Sequence, residues 1–170
     1  MEENKGMVTM MGNPLTLLGK LVKVGDVAPE FTALANDLQP VKLSDFKGKI
    51  KVISSIPSID TGVCAMQTRR FNQEATQLKE VVILSISCDL PFALGRFCGA
   101  EGIDKVHTLS DHLNTDFGLK YGFLIKELRL LNRGILIIDQ NDKIVYMELV
   151  KENTDLPDFD AALAVLKKMV

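Results

Sequence analysis

The sequence predicts an α/β protein with a mixed β-sheet that is covered by helices on both faces. Two observations lead to this prediction. From Ile50 onward, short β-branched apolar runs alternate with segments of helical periodicity, which is typical of parallel strands joined by helices. Near the C-terminus, two further strand-like runs are separated by only a few turn residues, so they can pair in antiparallel fashion before a closing amphipathic helix.

The first predicted elements are a hairpin and two turns. The stretch VTMMGNPLTLL, from Val8 to Leu18, contains two short apolar runs around Gly-Asn-Pro, and this pattern predicts a β-hairpin. Gly25 to Pro29 and Asp45 to Lys49 are rich in turn-forming residues. The sequence contains no low-complexity stretch, internal repeat or linker, so we expect one domain over residues 1–170.

The remaining elements follow from the alternation of apolar runs with helical periodicity. Pro91 supports a helix start, because proline is favoured in the first turn. The predicted elements are, in order, the strand KVISSI, a helix from Val63 to Leu78, a strand from Val81 to Ser87, a helix from Pro91 to Ala100, the strand VHTLS, a helix from Thr115 to Tyr121, the strands GILIID and IVYMELV around Gln140-Asn141-Asp142, and a helix from Pro157 to Met169.

Composition excludes several classes of protein. Apolar residues make up 46% of the 170 residues and charged residues 25%, as in ordinary globular proteins. The net charge of −2 gives no electrostatic reason to expect binding to nucleic acid or an anionic membrane. No apolar run reaches the roughly 18 residues of a membrane span, and Glu2 and Glu3 replace the basic start of a signal peptide. Three cysteines, an odd number, do not form a secreted disulfide framework, so we expect a cytoplasmic protein.

The segment SIPSIDTGVC places one cysteine at the start of a helix. A strand is predicted to end near Ile56, and a helix to begin at about Val63, with Thr61 as its N-cap. Cys64 then lies in the first helical turn, where unpaired amide groups and the helix dipole both stabilise a thiolate. Cys64, Thr68, Phe71, Ala75 and Leu78 share one largely apolar face. A cysteine on such a face is more often simple core packing, so position alone leaves both interpretations open.

Two longer motifs resemble the thiol peroxidase subfamily of peroxiredoxins, the atypical two-cysteine enzymes. PSIDTGVC followed by RRFN is similar to the segment around the peroxide-attacking cysteine of that subfamily, with Pro57, Thr61 and Cys64 at the motif positions. DLPFALGRFCGAEG is similar to the segment that carries its resolving cysteine, here Cys98. The N-terminal GNPLTLLG and the closing AALAVLKK also fit, so the resemblance covers nearly the whole chain.

The resemblance implies a thioredoxin-like fold with a central mixed sheet, flanking helices and an N-terminal hairpin. It implies reduction of hydrogen peroxide and alkyl or lipid hydroperoxides, thioredoxin as the reductant, and commonly a homodimer, without a metal, haem or flavin. It also assigns Cys98 the task of forming a disulfide with Cys64, and it places Arg133, in LLNRGILIID, at the catalytic arginine. Without the resemblance, Arg133 would be interpreted as a surface charge at a strand end, and Pro57 as an ordinary strand-end proline.

The chemistry explains why these residue types are needed. An ordinary thiol has a pKa of about 8.5. Complete ionisation at neutral pH therefore increases the thiolate fraction only about thirtyfold, which corresponds to ~2 kcal/mol. Most of the acceleration must then come from fixed donors directed at the reacting oxygens. Thr61, the amides of Val63 and Cys64, and Arg133 are the candidate donors, whereas Arg69 and Arg70 are expected to be surface residues.

Other interpretations of the cysteines remain open at this point. Cys88, at the end of a predicted strand, is an alternative resolving residue, although packing is the usual role of a thiol there. A thioredoxin-type oxidoreductase is disfavoured because no Cys-x-x-Cys is present. A zinc site would need His107 and His112 together with the cysteines, and no pair has ligand spacing. A non-enzymatic redox sensor would use the same Cys64–Cys98 disulfide, and the sequence distinguishes such a sensor only poorly from an enzyme.

Overall fold

The structure is a computed structural model that describes residues 1–75 and 77–170, with the backbone alone at residue 75. Its elements follow the predicted alternation of strands and helices from residue 50 onward. They are β1 (Glu3–Met10), β2 (Asn13–Leu18), β3 (Thr32–Leu34), β4 (Pro40–Lys42), a 3-10 turn (Leu43–Phe46), β5 (Ile50–Ser55), α1 (Gly62–Ala75), β6 (Val81–Ser87), α2 (Pro91–Glu101), β7 (Val106–Ser110), α3 (Asp116–Tyr121), β8 (Leu124–Ile125), β9 (Leu130–Leu131), β10 (Gly134–Ile138), β11 (Ile144–Leu149) and α4 (Phe159–Met169).

The main sheet is mixed, as predicted. Its seven strands lie in the order β11-β10-β5-β6-β7-β3-β4. The three strands β5, β6 and β7 are parallel to one another, while β10 pairs antiparallel with both β5 and β11. All six residues of β5 are buried, because this strand is central and both of its faces are covered. The carboxyl ends of β5 and β6 therefore lie side by side, and the loops that follow them start from the same edge.

Two hydrophobic clusters cover the two faces of this sheet. Successive side chains of a strand point to opposite faces, so Val52 joins a cluster with Phe71 of α1 and Leu163 of α4, while Ile53 joins a cluster with Phe117 of α3. The helices are thus divided between the faces, and this division confirms the expected arrangement of a sheet covered on both sides. No helix within the described part of the chain is long and apolar enough to cross a bilayer.

The predicted N-terminal hairpin forms the start of a second, smaller sheet. Strands β1 and β2 pair antiparallel, and β2 then pairs with β8, which pairs with β9. The turn was predicted at Gly-Asn-Pro, but it lies at Met11 and Gly12, both with positive φ, and Asn13 and Pro14 belong to β2. The first strand also begins earlier than the apolar pattern predicted, at Glu3, because its polar N-terminal half is held by pairing rather than by burial.

Several boundaries differ from the prediction for identifiable reasons. The four strands β3, β4, β8 and β9 were not predicted; each has only two or three residues, too few to show a hydrophobic period. Helix α1 was expected to continue to Leu78, but its last helical residue is Ala75, and Leu78 is not helical; the intervening Thr76 lies outside the described residues. Helix α4 begins at Phe159 rather than Pro157, because the Asp158 carboxylate accepts the Ala161 amide at 3.0 Å and caps it.

Candidate active site

Cys64 lies in the first turn of α1, as the sequence predicted. The Thr61 side chain accepts a hydrogen bond from the Cys64 amide at 3.3 Å and donates to the Ser58 carbonyl oxygen at 3.1 Å. Thr61 therefore caps the helix and stabilises the turn that leads into it. The Cys64 side chain is fully buried, so the sulfur is screened from bulk solvent at the end of a short loop.

The buried stripe of α1 continues below the sulfur. Thr68 and Phe71 are buried with Cys64, as the predicted face required. The side chain of Ala75, which was predicted to belong to the same face, lies outside the described residues. The apolar wall around the sulfur comes from outside the helix. Its members are Ile56, Ile59, Leu94 and, at the edge, Phe97.

Arg133 reaches the sulfur from the other side. Its Nη2 donates to Cys64 Sγ at 3.1 Å, and the residue is only 2% exposed. The interpretation of Arg133 as a surface charge at a strand end is therefore wrong. A guanidinium that has been removed from water interacts strongly with a nearby negative charge.

Two residues that no sequence motif indicated orient the guanidinium, one through its side chain and the other through its main-chain carbonyl. Nη1 of Arg133 donates to Gln67 Oε1 at 2.9 Å, and Nε donates to the carbonyl oxygen of Asn153 at 2.9 Å. Gln67 is itself held, because its Nε2 donates to Ser54 Oγ at 2.6 Å. Gln67 lies three residues after Cys64, on the same buried side of α1, and it is fully buried. A polar residue at this helical spacing from the cysteine is the sequence signal that could have identified it.

The second of these residues, Asn153, connects the guanidinium to the N-terminal hairpin. Its Oδ1 accepts the Arg133 amide at 2.8 Å, and its Nδ2 donates to Asn132 Oδ1 at 2.7 Å and to the Thr9 carbonyl oxygen at 3.1 Å. Asn132 in turn donates to the carbonyl oxygens of Arg133 and Val150. These long-range contacts leave no local pattern in the sequence, so only the folded chain reveals them.

A glycine is required next to the arginine. A Cβ atom at Gly134 would lie 2.5 Å from the Glu148 carbonyl oxygen and 2.8 Å from the Phe123 ring. Both distances are too short for any other residue to fit without displacing β11 or the ring. The close approach at Gly134 fixes the start of β10 and thereby the backbone position from which Arg133 extends.

The loop between β5 and α1 is tied to the end of β6 by Asp89. Its carboxylate accepts hydrogen bonds from Ser58 Oγ at 2.7 Å, from the Ile59 amide at 2.7 Å and from Ser87 Oγ at 2.9 Å. Pro57 is buried in this loop, beside the cluster that surrounds the sulfur. The sequence analysis assigned no role to Asp89, which in the structure joins the segments that precede the two predicted redox cysteines.

Cys98 lies in α2, as predicted, but the structure does not place it against Cys64. Both are free thiols. Cys98 packs at the edge of the cluster that contains Phe71, and its polar neighbours include Thr108 on β7, with 3.3 Å between Sγ and Oγ1. Phe97, the preceding residue, contacts this cluster as well as the one around Cys64.

The third cysteine has the environment of a packed thiol. Cys88 follows β6 and contacts the core on the opposite face of the sheet from α1. Burial and, to a lesser extent, the nearby Asp111 carboxylate raise the pKa of Cys88 to about 12, so it is protonated at neutral pH. Among the residues that the structure describes, no group of three potential ligands is arranged to hold a metal ion.

Arg69 and Arg70 are surface residues, as expected. Arg69 forms an exposed ion pair with Glu101, and Arg70 pairs with Glu74 one turn later on α1. None of these ion pairs involves the Cys64 sulfur.

A fully buried thiol at a helix N-terminus, hydrogen-bonded by a desolvated arginine, is suited to nucleophilic attack on a small electrophile from which water must be excluded. Together with the mixed sheet and its division of helices, this site defines a thiol-dependent enzyme with a thioredoxin-like fold.

Comparison with known proteins specifies the class further. The family model Redoxin matches residues 23–163. The chain is 61% identical to the thiol peroxidase of Oceanobacillus iheyensis, covering 95% of this chain and 98% of that protein. It is 54% identical to the thiol peroxidase of Bacillus subtilis, covering 96% and 98% respectively. A crystal structure of a peroxiredoxin-like protein from Aquifex aeolicus superimposes with a TM-score of 0.91 at 37% identity, covering 98% of this chain and 99% of that chain.

The chain belongs to the Redoxin family and, within it, to the thiol peroxidases. The resemblance that the two cysteine motifs carried, the thioredoxin-like fold class and the assignment as a peroxiredoxin-type enzyme are thereby confirmed. The individual roles of Pro57, Thr61, Cys64, Cys98 and Arg133 remain predictions.

Proposed function

We propose that Cys64 is the nucleophile of a peroxidase that reduces hydrogen peroxide and organic hydroperoxides. The observation that carries this assignment is the 3.1 Å hydrogen bond from Arg133 to Cys64 Sγ, between two residues that are both buried. The environments of the other two cysteines differ: Cys88 is a neutral packed thiol, and Cys98 is hydrogen-bonded to the Asn36 amide and the Thr108 hydroxyl.

In the proposed first step the Cys64 thiolate attacks one peroxide oxygen. The O–O bond breaks, Cys64 is oxidised to a sulfenic acid, and the second oxygen leaves with the bonding electron pair and takes up a proton as water or alcohol. Arg133 lies close enough to the sulfur to stabilise the charge that moves from sulfur to the leaving oxygen. The Val63 amide at the start of α1 is a further proposed donor, whereas the Thr61 hydroxyl and the Cys64 amide can serve only if they release their bonds to the Ser58 carbonyl oxygen and to Thr61 Oγ1. Buried Pro57 helps to exclude water from the reacting atoms.

In the proposed second step the Cys98 thiol attacks the sulfenic sulfur. A Cys64–Cys98 disulfide forms, the S–OH bond breaks, and the hydroxyl leaves with the thiol proton as water. Cys64 heads α1 and Cys98 lies within α2, and the two thiols pack in different clusters in the reduced protein. We therefore propose that the first turn of α1 and the segment around Cys98 unwind during this step, since a disulfide requires Cα atoms within roughly 7 Å.

A dithiol protein must then reduce the disulfide, and we propose thioredoxin for this role. Three cysteines, an odd number, do not form a secreted disulfide framework, and we therefore propose the cytoplasm. We further propose a homodimer, as is common among peroxiredoxins. Neither assignment changes the chemistry within one chain.

The test is a coupled assay with thioredoxin, thioredoxin reductase and NADPH, using hydrogen peroxide, tert-butyl hydroperoxide and cumene hydroperoxide in turn. We expect Cys64→Ser to abolish turnover of each peroxide, because a serine hydroxyl does not ionise at neutral pH. With one equivalent of peroxide, Cys98→Ser should stop at the Cys64 sulfenic acid, and excess peroxide should carry it only to the sulfinic acid without turnover. Cys88→Ser serves as the matched control and should turn over normally.

Turnover by Cys64→Ser at a rate near wild type would remove Cys64 from the mechanism. Wild-type protein that oxidises once but is not recycled by thioredoxin would remove the proposed reductant while leaving the first step intact. The same measurement separates the enzyme from a redox sensor, since a sensor does not need rapid recycling.

A further inference from the structure

The Cys98 thiol belongs to a closed ring of hydrogen bonds with two side chains from outside α2. Thr108 Oγ1 donates to Asn36 Oδ1 at 2.9 Å, and Asn36 Nδ2 donates to Cys98 Sγ at 3.9 Å. Cys98 Sγ and Thr108 Oγ1 are 3.3 Å apart. A hydroxyl has only one hydrogen, and that of Thr108 is directed at Asn36, so the Cys98 S–H must be the donor in the third contact.

This ring uses the full hydrogen-bonding capacity that a protonated thiol offers. The thiol donates to Thr108 and accepts from Asn36, so both ring bonds at the sulfur depend on its position in folded α2. Thr108 is buried on β7, in the rigid main sheet, and Asn36 follows β3 at the edge of the same sheet. The ring therefore attaches α2 to two strands through the one side chain that must move for the disulfide to form.

A second contact supports the same attachment. A Cβ atom built on Gly95 would lie 3.7 Å from the Asn36 Cβ, an ordinary van der Waals distance, so Asn36 lies against α2 one turn before Cys98. Together with Thr108 and His107, Asn36 and Cys98 line a groove of about 330 Å³ on this edge of the sheet. Asn36 thus contacts α2 over the turn that contains the thiol.

We propose that Asn36 and Thr108 are positioning residues that dock Cys98 in the reduced enzyme and thereby set the rate of disulfide formation. The proposal rests on the proposed function, in that Cys98 is taken as the resolving cysteine. The dock holds the Cys98 side chain against Asn36 and Thr108 and away from Cys64. Disulfide formation requires the ring to open before the Cys98 sulfur reaches the Cys64 sulfenic acid.

The dock sets a competition at Cys64. While Cys98 remains docked, a second peroxide can oxidise the sulfenic acid to a sulfinic acid, with the peroxide reduced to water or alcohol in the same step. A stronger dock therefore gives slower disulfide formation and more sulfinic acid at high peroxide concentration. Neither Asn36 nor Thr108 is hydrogen-bonded to Cys64 or Arg133, so the first oxidation should be independent of the dock.

The experiment uses the full-length enzyme with the substitutions Thr108→Val and Asn36→Ala. Valine has nearly the shape of threonine but no hydroxyl, and Asn36 is an exposed residue, so both variants should fold. Thr108→Ser, which retains the hydroxyl, is the matched control. The rate of the first oxidation is measured by competition with horseradish peroxidase for hydrogen peroxide, and disulfide and sulfinic acid are quantified by rapid quenching, alkylation and mass spectrometry.

We expect Thr108→Val and Asn36→Ala to accelerate disulfide formation about fivefold, the effect of removing a typical neutral hydrogen bond from the docked state. The peroxide concentration that converts half of Cys64 to sulfinic acid should rise by the same factor. The first oxidation should keep its wild-type rate, and Thr108→Ser should match wild type in all three measurements. A general loss of structure would not give this pattern, because it would also slow the first step.

Unchanged disulfide rates in both Thr108→Val and Asn36→Ala, with Cys98→Ser unable to turn over, would overturn the dock and leave the proposed function intact. Continued turnover by Cys98→Ser would instead overturn the resolving role of Cys98, and the dock with it.

Discussion

Removal of the guanidinium by Arg133→Ala should slow the attack on peroxide without preventing it. Arg133 donates to Cys64 Sγ at 3.1 Å and is 2% exposed. A water molecule therefore cannot fully replace the charged hydrogen bond that the guanidinium provides. A hydrogen bond with a charged partner contributes about 1.5–3 kcal/mol. At 1.36 kcal/mol for each factor of ten, its loss corresponds to an attack rate about 10- to 150-fold lower.

The substitution also affects folding, and the assay must separate the two effects. Gln67 Oε1 and the Asn153 carbonyl oxygen lose their donors, and each unsatisfied buried acceptor costs about 1–3 kcal/mol of unfolding free energy. Stopped-flow competition for hydrogen peroxide, run well below the thermal midpoint of the variant, measures the attack alone. Arg69→Ala is the matched control, because Arg69 lies on the same helix as Cys64 but its ion pair is with exposed Glu101 at the surface.

We expect Arg69→Ala to attack peroxide at the wild-type rate and Arg133→Lys to fall between wild type and Arg133→Ala. Lysine keeps a positive charge but cannot bind Gln67, Asn153 and the sulfur at once. An Arg133→Ala attack rate within twofold of wild type, across the accessible pH range, would show that the guanidinium does not accelerate the attack. Arg133 would then be a structural residue that happens to contact the sulfur.

Two further predictions concern the movement of the chain and its dependence on pH. Oxidation to the Cys64–Cys98 disulfide should increase hydrogen exchange at Val63 to Gln67 and at Arg96 to Glu101, while β5 and β6 stay protected. Unchanged protection in both segments would show that no unwinding is needed. Hydrogen bonds from the Thr154 side chain and amide, from Gly12 and from Thr9 lower the pKa of Glu152 to about 2. Because the folded pKa lies below the unfolded value, this carboxylate stabilises the fold above about pH 4.5, and the contribution is lost as the pH falls toward 2. Glu152→Gln should therefore be less stable than wild type to urea at pH 7, with the difference shrinking below pH 4.5, and a pH-independent difference would contradict this origin.

The longer strands, the helices and the location of Cys64 follow from local patterns in the sequence. The strand Val81 to Ser87 and the strand Val106 to Ser110 have the predicted bounds, because their β-branched runs are bordered by polar or turn residues on both sides. Thr61 and Cys64 occupy their predicted places because a cap and the first helical turn depend on neighbouring residues only. The resemblance to thiol peroxidases could likewise be identified from the sequence, because it lies in two continuous motifs.

Contacts between distant segments determined the rest of the site. Arg133 has the composition of a surface residue in its local sequence, and it is buried because Asn153, Gln67 and the Cys64 sulfur, all at least 20 positions away, satisfy its donors. The sequence separations of these pairs are 20, 66 and 69, too long for a periodic pattern to report.

The same limit applies to the surroundings of Cys98. The second motif located this cysteine in a helix, but its dock comes from Asn36 and Thr108, which the fold brings together across 72 positions. Hydrophobic periodicity reports which side of an element is buried and not which element covers it. The residues that are proposed to carry the chemistry could therefore be named from the sequence, whereas the side chains that orient and restrain them were determined only by the packing of strands and helices in three dimensions.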